Sequence, residues 1–270
     1  MGRLTRDPSA LPFHVKKVHH TLVREDARLA VTHWGGDGRP VVLVHGLTGS
    51  QREWEAVAAQ LADQCRVVTY DQRCHGQSSG SADHSWSAFV GDLEAVLGDL
   101  ELHDVTLVGH SFGAGIVLEV AVGNENCRAL ALLDGALPVP VPPPDGRSSH
   151  MLLRSLVMFA KWMVLRPFHR VHSLSSAKLR EVGNDYRSRF PEFDSALRAL
   201  ECPAMLVLGS QMEDGRDGSA LQVARQEAAA RAIQSNPGIE VQWIEARHDM
   251  IQTHPREIAQ SLVRLHALDH

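Results

Sequence analysis

A chain of 270 residues, 44% of them hydrophobic, is long enough to bury one large α/β core and carry an insertion. Its formal net charge of −5, with no extended basic run, argues against nucleic acid or an anionic membrane surface as its main partner. The four cysteines, Cys65, Cys74, Cys127 and Cys202, lack C-x-x-C spacing, which argues against a zinc or disulfide framework and fits free thiols in a reducing compartment.

Residues 1–8 lack the apolar core of a signal peptide and Arg6 departs from the myristoylation pattern, so a cytoplasmic location is expected. Residues 1–13 read as a loose arm. Runs 15–23 and 28–34 are rich in β-formers and are separated by Arg24-Glu-Asp-Ala27, which predicts a hairpin at a sheet edge. Val41-Val-Leu-Val44 is apolar throughout, as in a strand buried on both faces, and leads into His45-Gly-Leu-Thr-Gly-Ser50. Residues 53–62 then place Trp54, Val57, Ala58 and Leu61 on one helical face. A strand over 66–70 ends in Asp71-Gln-Arg-Cys-His-Gly-Gln-Ser78, and a helix follows over 86–100. Strand 105–108, a glycine-flanked turn, a helix over 116–121 and strand 129–133, ending at Asp134, complete a β/α alternation. That alternation predicts right-handed crossovers and a mostly parallel sheet with helices on both faces. His45, Asp71, Ser111 and Asp134 would all lie at the carboxyl ends of strands, where such sheets bind ligands.

The proline run Pro138-Val-Pro-Val-Pro-Pro-Pro144 cannot continue this layering. Residues 148–166 and 175–190 read as helices with no strand between them, so 138–200 is expected to be an inserted helical unit between core segments 1–137 and 201–270. Its longest apolar stretch, 151–165, is broken by Arg154, Ser155 and Lys161 and is too short and too charged to span a bilayer. The core resumes with strand 204–208, an acidic loop containing Glu213, Asp214 and Asp217, helix 221–234, strand 239–244 and a last helix from Pro255.

The most telling motif is Gly109-His110-Ser111-Phe112-Gly113, set between an apolar strand and a helix. A serine at the apex of such a turn is held in a backbone conformation few residues accept, at a cost of ~1–3 kcal/mol that usually persists for a function. It also sits at a helix N-terminus, which favours developing negative charge. This is the G-x-S-x-G nucleophile elbow, and with it the chain resembles the α/β-hydrolase family from about residue 20 onward. The resemblance implies an α/β-hydrolase fold with a helical cap, the cap being the 138–200 insertion.

A serine hydroxyl needs a base within hydrogen-bond reach, and the base needs an orienting acid. In the family's order the histidine comes last. His248, four residues past the final strand and shortly before a proline-initiated helix, is similar to the family's catalytic histidine, although Arg247 stands where glycine is usual. His254, directly before Pro255, is assigned to the helix start. The family most often takes its acid from the loop after strand 204–208, which favours Asp214. Glu213 fits the spacing, and Asp134 fits a minority arrangement. By the same resemblance the backbone N–H groups of Leu47 and Phe112 form the oxyanion hole. The stretch 71–78 resembles the family's D-x-R-G-x-G-x-S loop, with Cys74 in place of the first glycine and Asp71 and Arg73 read as structural. Cys74 is read as a buried inert thiol. His110 is read as a packing residue, and His45 and His75 as supporting groups at most. Met151, Leu152, Leu156, Met158, Phe159, Trp162 and Met163 form an apolar cap surface that in part would line a substrate pocket.

The expected activity is cofactor-free and metal-free serine hydrolysis of an ester, thioester or lactone of a small to medium apolar molecule. Two other readings keep the fold: a carbon–carbon bond hydrolase or biosynthetic cyclase or acyltransferase, and a receptor that captures a small molecule without turnover. A serine in the elbow argues against the epoxide-hydrolase and dehalogenase branches, which place an aspartate there.

Overall fold

Five short runs, β3 (Pro40–Val44), β4 (Arg66–Tyr70), β5 (Val105–His110), β6 (Cys127–Leu133) and β7 (Ala204–Gly209), are buried almost end to end. Burial on both faces suits parallel strands held between two helical layers. With β1 (Val18–Val23), β2 (Arg28–His33) and β8 (Ile239–Ile244) they form one eight-stranded sheet in the order β1-β2-β4-β3-β5-β6-β7-β8. Strand β2 runs antiparallel to both neighbours, whereas every pairing from β4 to β8 is parallel. The computed structural model describes residues 17–139, 172–211 and 218–267.

The described helices are α1 (Glu55–Leu61), α2 (Trp86–Asp99), α3 (Phe112–Ala121), α4 (Ser176–Ser188), α5 (Phe190–Ala199), α6 (Gly218–Ser235), α7 (Met250–Thr253) and α8 (Pro255–His266). Alternation along the strands sorts side chains between two cores. Val42, Val44, Leu107, Leu132 and Leu206 pack with α2, α3, α5 and α6, while Val41, Leu43, Val108, Leu133 and Val207 pack with α1 and α8. The direction of strand order reverses at β3, which has β4 on one side and β5 on the other. The crevice that such a switch point opens lies beyond the carboxyl ends of β3 and β5. None of the described helices is long and apolar enough to cross a membrane.

Two of the differences from the sequence reading have a local reason. Strand β5 continues to His110 and α3 already begins at Phe112, so the connection between them is the single residue Ser111. The helix expected over 175–190 is α4, which ends at Ser188, and a second helix that was not expected, α5, follows over Phe190–Ala199, because Pro191 lacks the N–H and the space to continue α4 and sits instead in the first turn of α5. Of the expected insertion, residues 172–200 contribute α4, α5 and an isolated bridge between His172 and His75. The helix expected over 148–166, with its apolar side chains Met151 to Met163, lies outside the described residues.

The loop after β4 is held by buried charge. Asp71 accepts the backbone N–H groups of Gln51 (2.8 Å) and Gln77 (2.9 Å). Arg73 is 1% exposed and makes a bidentate bond to the fully buried Asp92 on α2, 2.8 Å in each arm, while a third nitrogen meets Asp26 at 2.8 Å. Cys74 has a left-handed backbone (φ 63°), as its place in a glycine position implies, and burial pushes its thiol up. Removing one partner of a buried pair strands the other charge. Asp92→Ala is therefore expected to cost about 3 kcal/mol of unfolding free energy, read from the urea midpoint; a change below ~1 kcal/mol would show that Asp26, Ser81 and the Asp83 carbonyl together satisfy Arg73.

Candidate active site

Ser111 has φ 55° and ψ −114°, a conformation that only its surroundings sustain. Its N–H donates to the Leu133 carbonyl at 2.9 Å, one step beyond the last β5–β6 pair. The flanking glycines leave no room for side chains: a β-carbon at Gly109 would stand 2.3 Å from the Gly113 carbonyl oxygen, and one at Gly113 2.5 Å from that of Val44. On the β6 side, a β-carbon at Gly135 would lie 2.2 Å from the Ser111 carbonyl oxygen.

His248, in the loop after β8, brings Nε2 to 3.0 Å from Ser111 Oγ. Its Nδ1 lies 2.6 Å from Oδ2 of Asp134, the residue directly after β6. The other carboxylate oxygen, Oδ1, accepts the Gly209 N–H at 3.2 Å and the guanidinium of Arg225 from α6. Burial alone would raise the Asp134 pKa, but the His248 bond, the Arg225 charge and the Gly209 amide outweigh it and hold the carboxyl at about 2. The carboxylate that meets the histidine is thus Asp134. Asp214, favoured in the sequence reading, lies with Glu213 and Asp217 outside the described residues. His254, as expected, precedes α8, with its ring nitrogen 2.9 Å from the Thr253 hydroxyl.

Three neighbouring histidines are buried and neutral. Burial, ahead of other causes, lowers His45 to about 4 and both His75 and His110 to about 3. His110 Nε2 lies 2.8 Å from the carbonyl of His248 and its ring rests 4.7 Å from the His248 ring, so it holds the loop that carries the imidazole. His75 spans the carbonyls of Arg73 (2.8 Å) and Leu47 (2.6 Å), donating to one of them. A β-carbon on Gly46 would lie 3.3 Å from Ser111 Cβ, so the loop bearing Leu47 passes directly over the serine. Phe112 is the first residue of α3, where backbone N–H groups have no acceptor within the helix.

Tyr186, on α4, was not singled out by any motif. Its hydroxyl accepts the Ala136 N–H at 3.0 Å and donates to the Ser111 carbonyl at 3.1 Å. Beside Ser111 lies a cavity of about 150 Å³ bounded by Leu137, Val139, Tyr186, Phe190, Leu208 and Leu221, with Asp134 and Arg225 at its polar side.

Residues 41–261 match the model of the alpha/beta hydrolase family. A non-heme chloroperoxidase of Kitasatospora aureofaciens is 34% identical over 130 residues, covering 46% of this chain and 47% of that protein, so the match spans about half the length of the relative. Among solved structures, the N-formylmaleamic acid deformylase of Pseudomonas putida S16 superposes with a TM-score of 0.69 at 21% identity, covering 90% of this chain and all of the other. The enol-lactonase of Burkholderia xenovorans LB400 gives 0.68 at 17% identity, covering 91% and 99%. The chain belongs to the alpha/beta hydrolase family.

A depressed carboxyl has a signed consequence for stability. Its contribution is complete above the ordinary value near 3.8 and is lost as pH falls through the folded value of about 2. The difference in unfolding free energy between the parent and Asp134→Asn, measured by urea titration at a series of pH values, is expected to shrink over that window. A difference independent of pH there would contradict the hydrogen-bonded, ionised Asp134.

Proposed function

We propose that this protein is a serine hydrolase that cleaves an ester, thioester or lactone of a small to medium apolar substrate through an acyl-enzyme on Ser111. The observation that carries the reading is the continuous hydrogen-bonded chain from Ser111 Oγ through His248 to a buried, ionised Asp134. That chain has the roles of a nucleophile, a base and an orienting acid. We assign the acid to Asp134 and not to Asp214 or Glu213.

Ser111 Oγ adds to the substrate carbonyl carbon as its proton passes to His248 Nε2. Asp134 holds the imidazole in the tautomer with Nδ1 protonated and offsets the charge that forms. The carbonyl oxygen, now an oxyanion, accepts the N–H groups of Leu47 and Phe112, donors typically worth ~10²–10³ in rate each. Collapse breaks the bond to the leaving alcohol or thiol, which takes the proton from His248. A water molecule then gives its proton to His248, attacks the acyl carbon and displaces Ser111 Oγ, which recovers its hydrogen. Helices α4 and α5 belong in this reading to a cap over residues 138–200. The apolar walls of the cavity beside Ser111, Leu137, Val139, Phe190 and Leu208, favour an apolar acyl portion.

The test is labelling by a fluorophosphonate probe together with turnover of short-chain nitrophenyl esters. Ser111→Ala should abolish labelling and His248→Ala should reduce turnover by ~10⁴-fold or more, while Asp134→Asn should cost ~10³–10⁴ in kcat. Undiminished labelling in Ser111→Ala would remove the nucleophile. Parent-like turnover in Asp134→Asn, with loss in Asp214→Asn or Glu213→Gln, would move the acid to the loop after β7.

A further inference from the structure

Asp134 leaves its strand in a left-handed backbone conformation (φ 48°), and its carboxylate has two oxygens with different partners. Oδ2 serves His248, whereas Oδ1 takes the Gly209 N–H and the Arg225 guanidinium. Bonding one oxygen only would leave the carboxylate free to turn about its last torsion, which is broad and two-fold for aspartate. Donors on the opposite oxygen remove that freedom and keep Oδ2 aimed at Nδ1.

Arg225 reaches this point from a well-seated helix. Leu221 and Ala224 before it and the buried Ala228, Ala229 and Ala232 after it pack α6 on the core, and just past the helix the Asn236 amide donates to the carbonyls of Leu197 (3.0 Å) and Leu200 (2.9 Å). The Arg225 side chain is 13% exposed, and its guanidinium carbon stands 5.9 Å from the centre of the Trp243 ring on β8, within cation–π range. A planar, permanently charged group with an aromatic ring on one side and a carboxylate ahead of it has little freedom to move.

We infer that Arg225 is a positioning residue of the active site: anchored on α6, it fixes the Asp134 carboxylate so that the His248 imidazole is held in line with Ser111. The inference rests on the serine-hydrolase reading above and adds to it a fourth side chain that no motif in the sequence marks. Arg225 acts through Asp134, although it also borders the cavity, where the competing role would be to bind an anionic portion of the substrate.

The two roles separate in the kinetics of fluorophosphonate labelling, whose saturable rate yields kinact, reporting nucleophile activation, and KI, reporting binding. Parent, Arg225→Met and Arg225→Lys are compared, each alone and combined with Asp134→Asn, with thermal melts to confirm folding. Arg225→Met is expected to lower kinact ~10–100-fold and to leave KI within about threefold, the range seen when groups that orient a reacting ligand are lost. Arg225→Lys should recover most of the loss. On the Asp134→Asn background Arg225→Met should change kinact by less than about twofold, because the ionised carboxylate that Arg225 aims at His248 is gone. Parent-like kinact in Arg225→Met, a change confined to KI, or an undiminished effect on the Asp134→Asn background would each overturn the inference. Ser111→Ala, run alongside, isolates the underlying reading: if that variant is labelled like the parent, the nucleophile assignment itself has failed.

Discussion

Ser111 donates its backbone N–H to the Leu133 carbonyl across 2.9 Å, directly above the place where His110 and Leu133 pair as the last rung of β5 and β6. Strand register and the position of the serine are therefore one variable. The residue after β6 is Asp134, whose own N–H continues the pairing to Val207 on β7 at 2.8 Å, so the carboxylate is placed by the same ladder. Ser111, Asp134 and Ala136 all have left-handed backbones without being glycine, at a cost of order 1–3 kcal/mol each. The crossing of the two chains at Gly135, too close for any side chain, shows how the strain is maintained: neither turn can relax without pushing the other.

Charge at the site is distributed unevenly. His45, His75 and His110 are buried and stay uncharged down to about pH 4 or below, so their rings serve as fixed donors and acceptors for backbone groups. His248 differs in having 46% of its side chain exposed while Asp134 has 7%. An imidazole open to water on one side and bound to a buried carboxylate on the other suits proton exchange, and the surrounding histidines do not compete for it. The buried Arg73–Asp92 pair does comparable work for the neighbouring loop, where it anchors the turn that carries His75 against the Leu47 carbonyl.

The sheet, its parallel core and the elbow were legible because each rests on local patterns: five apolar runs, two flanking glycines, a proline that opens α8. Ser111 and His248 could be named for the same reason, since each lies at a fixed step from a strand end. The partner of His248 Nδ1 was not legible, because a carboxylate after β6 and one after β7 emerge at the same sheet edge and sequence spacing cannot rank two residues that approach through space. Asp134 stood among the candidates, but the donors that set it apart, Gly209 and Arg225, lie 75 and 91 residues away. Tyr186 and the part His110 plays toward the His248 carbonyl were hidden likewise. A tyrosine within an amphipathic helix and a histidine at a strand end have ordinary packing explanations until the contact is visible.

The Tyr186 hydroxyl, wedged between the Ala136 amide and the Ser111 carbonyl, ties α4 to the crest of the elbow. The segment that joins β6 to β7 lies outside the sheet, yet this contact limits how far it can change. Exchanging the region for a foreign one would orphan the buried Ala136 amide unless the graft supplied a hydroxyl in the same spot, whereas the Ser111 carbonyl would keep the Ala114 N–H at 3.1 Å. Variation of the segment that joins β6 to β7 is thus bounded by one phenol.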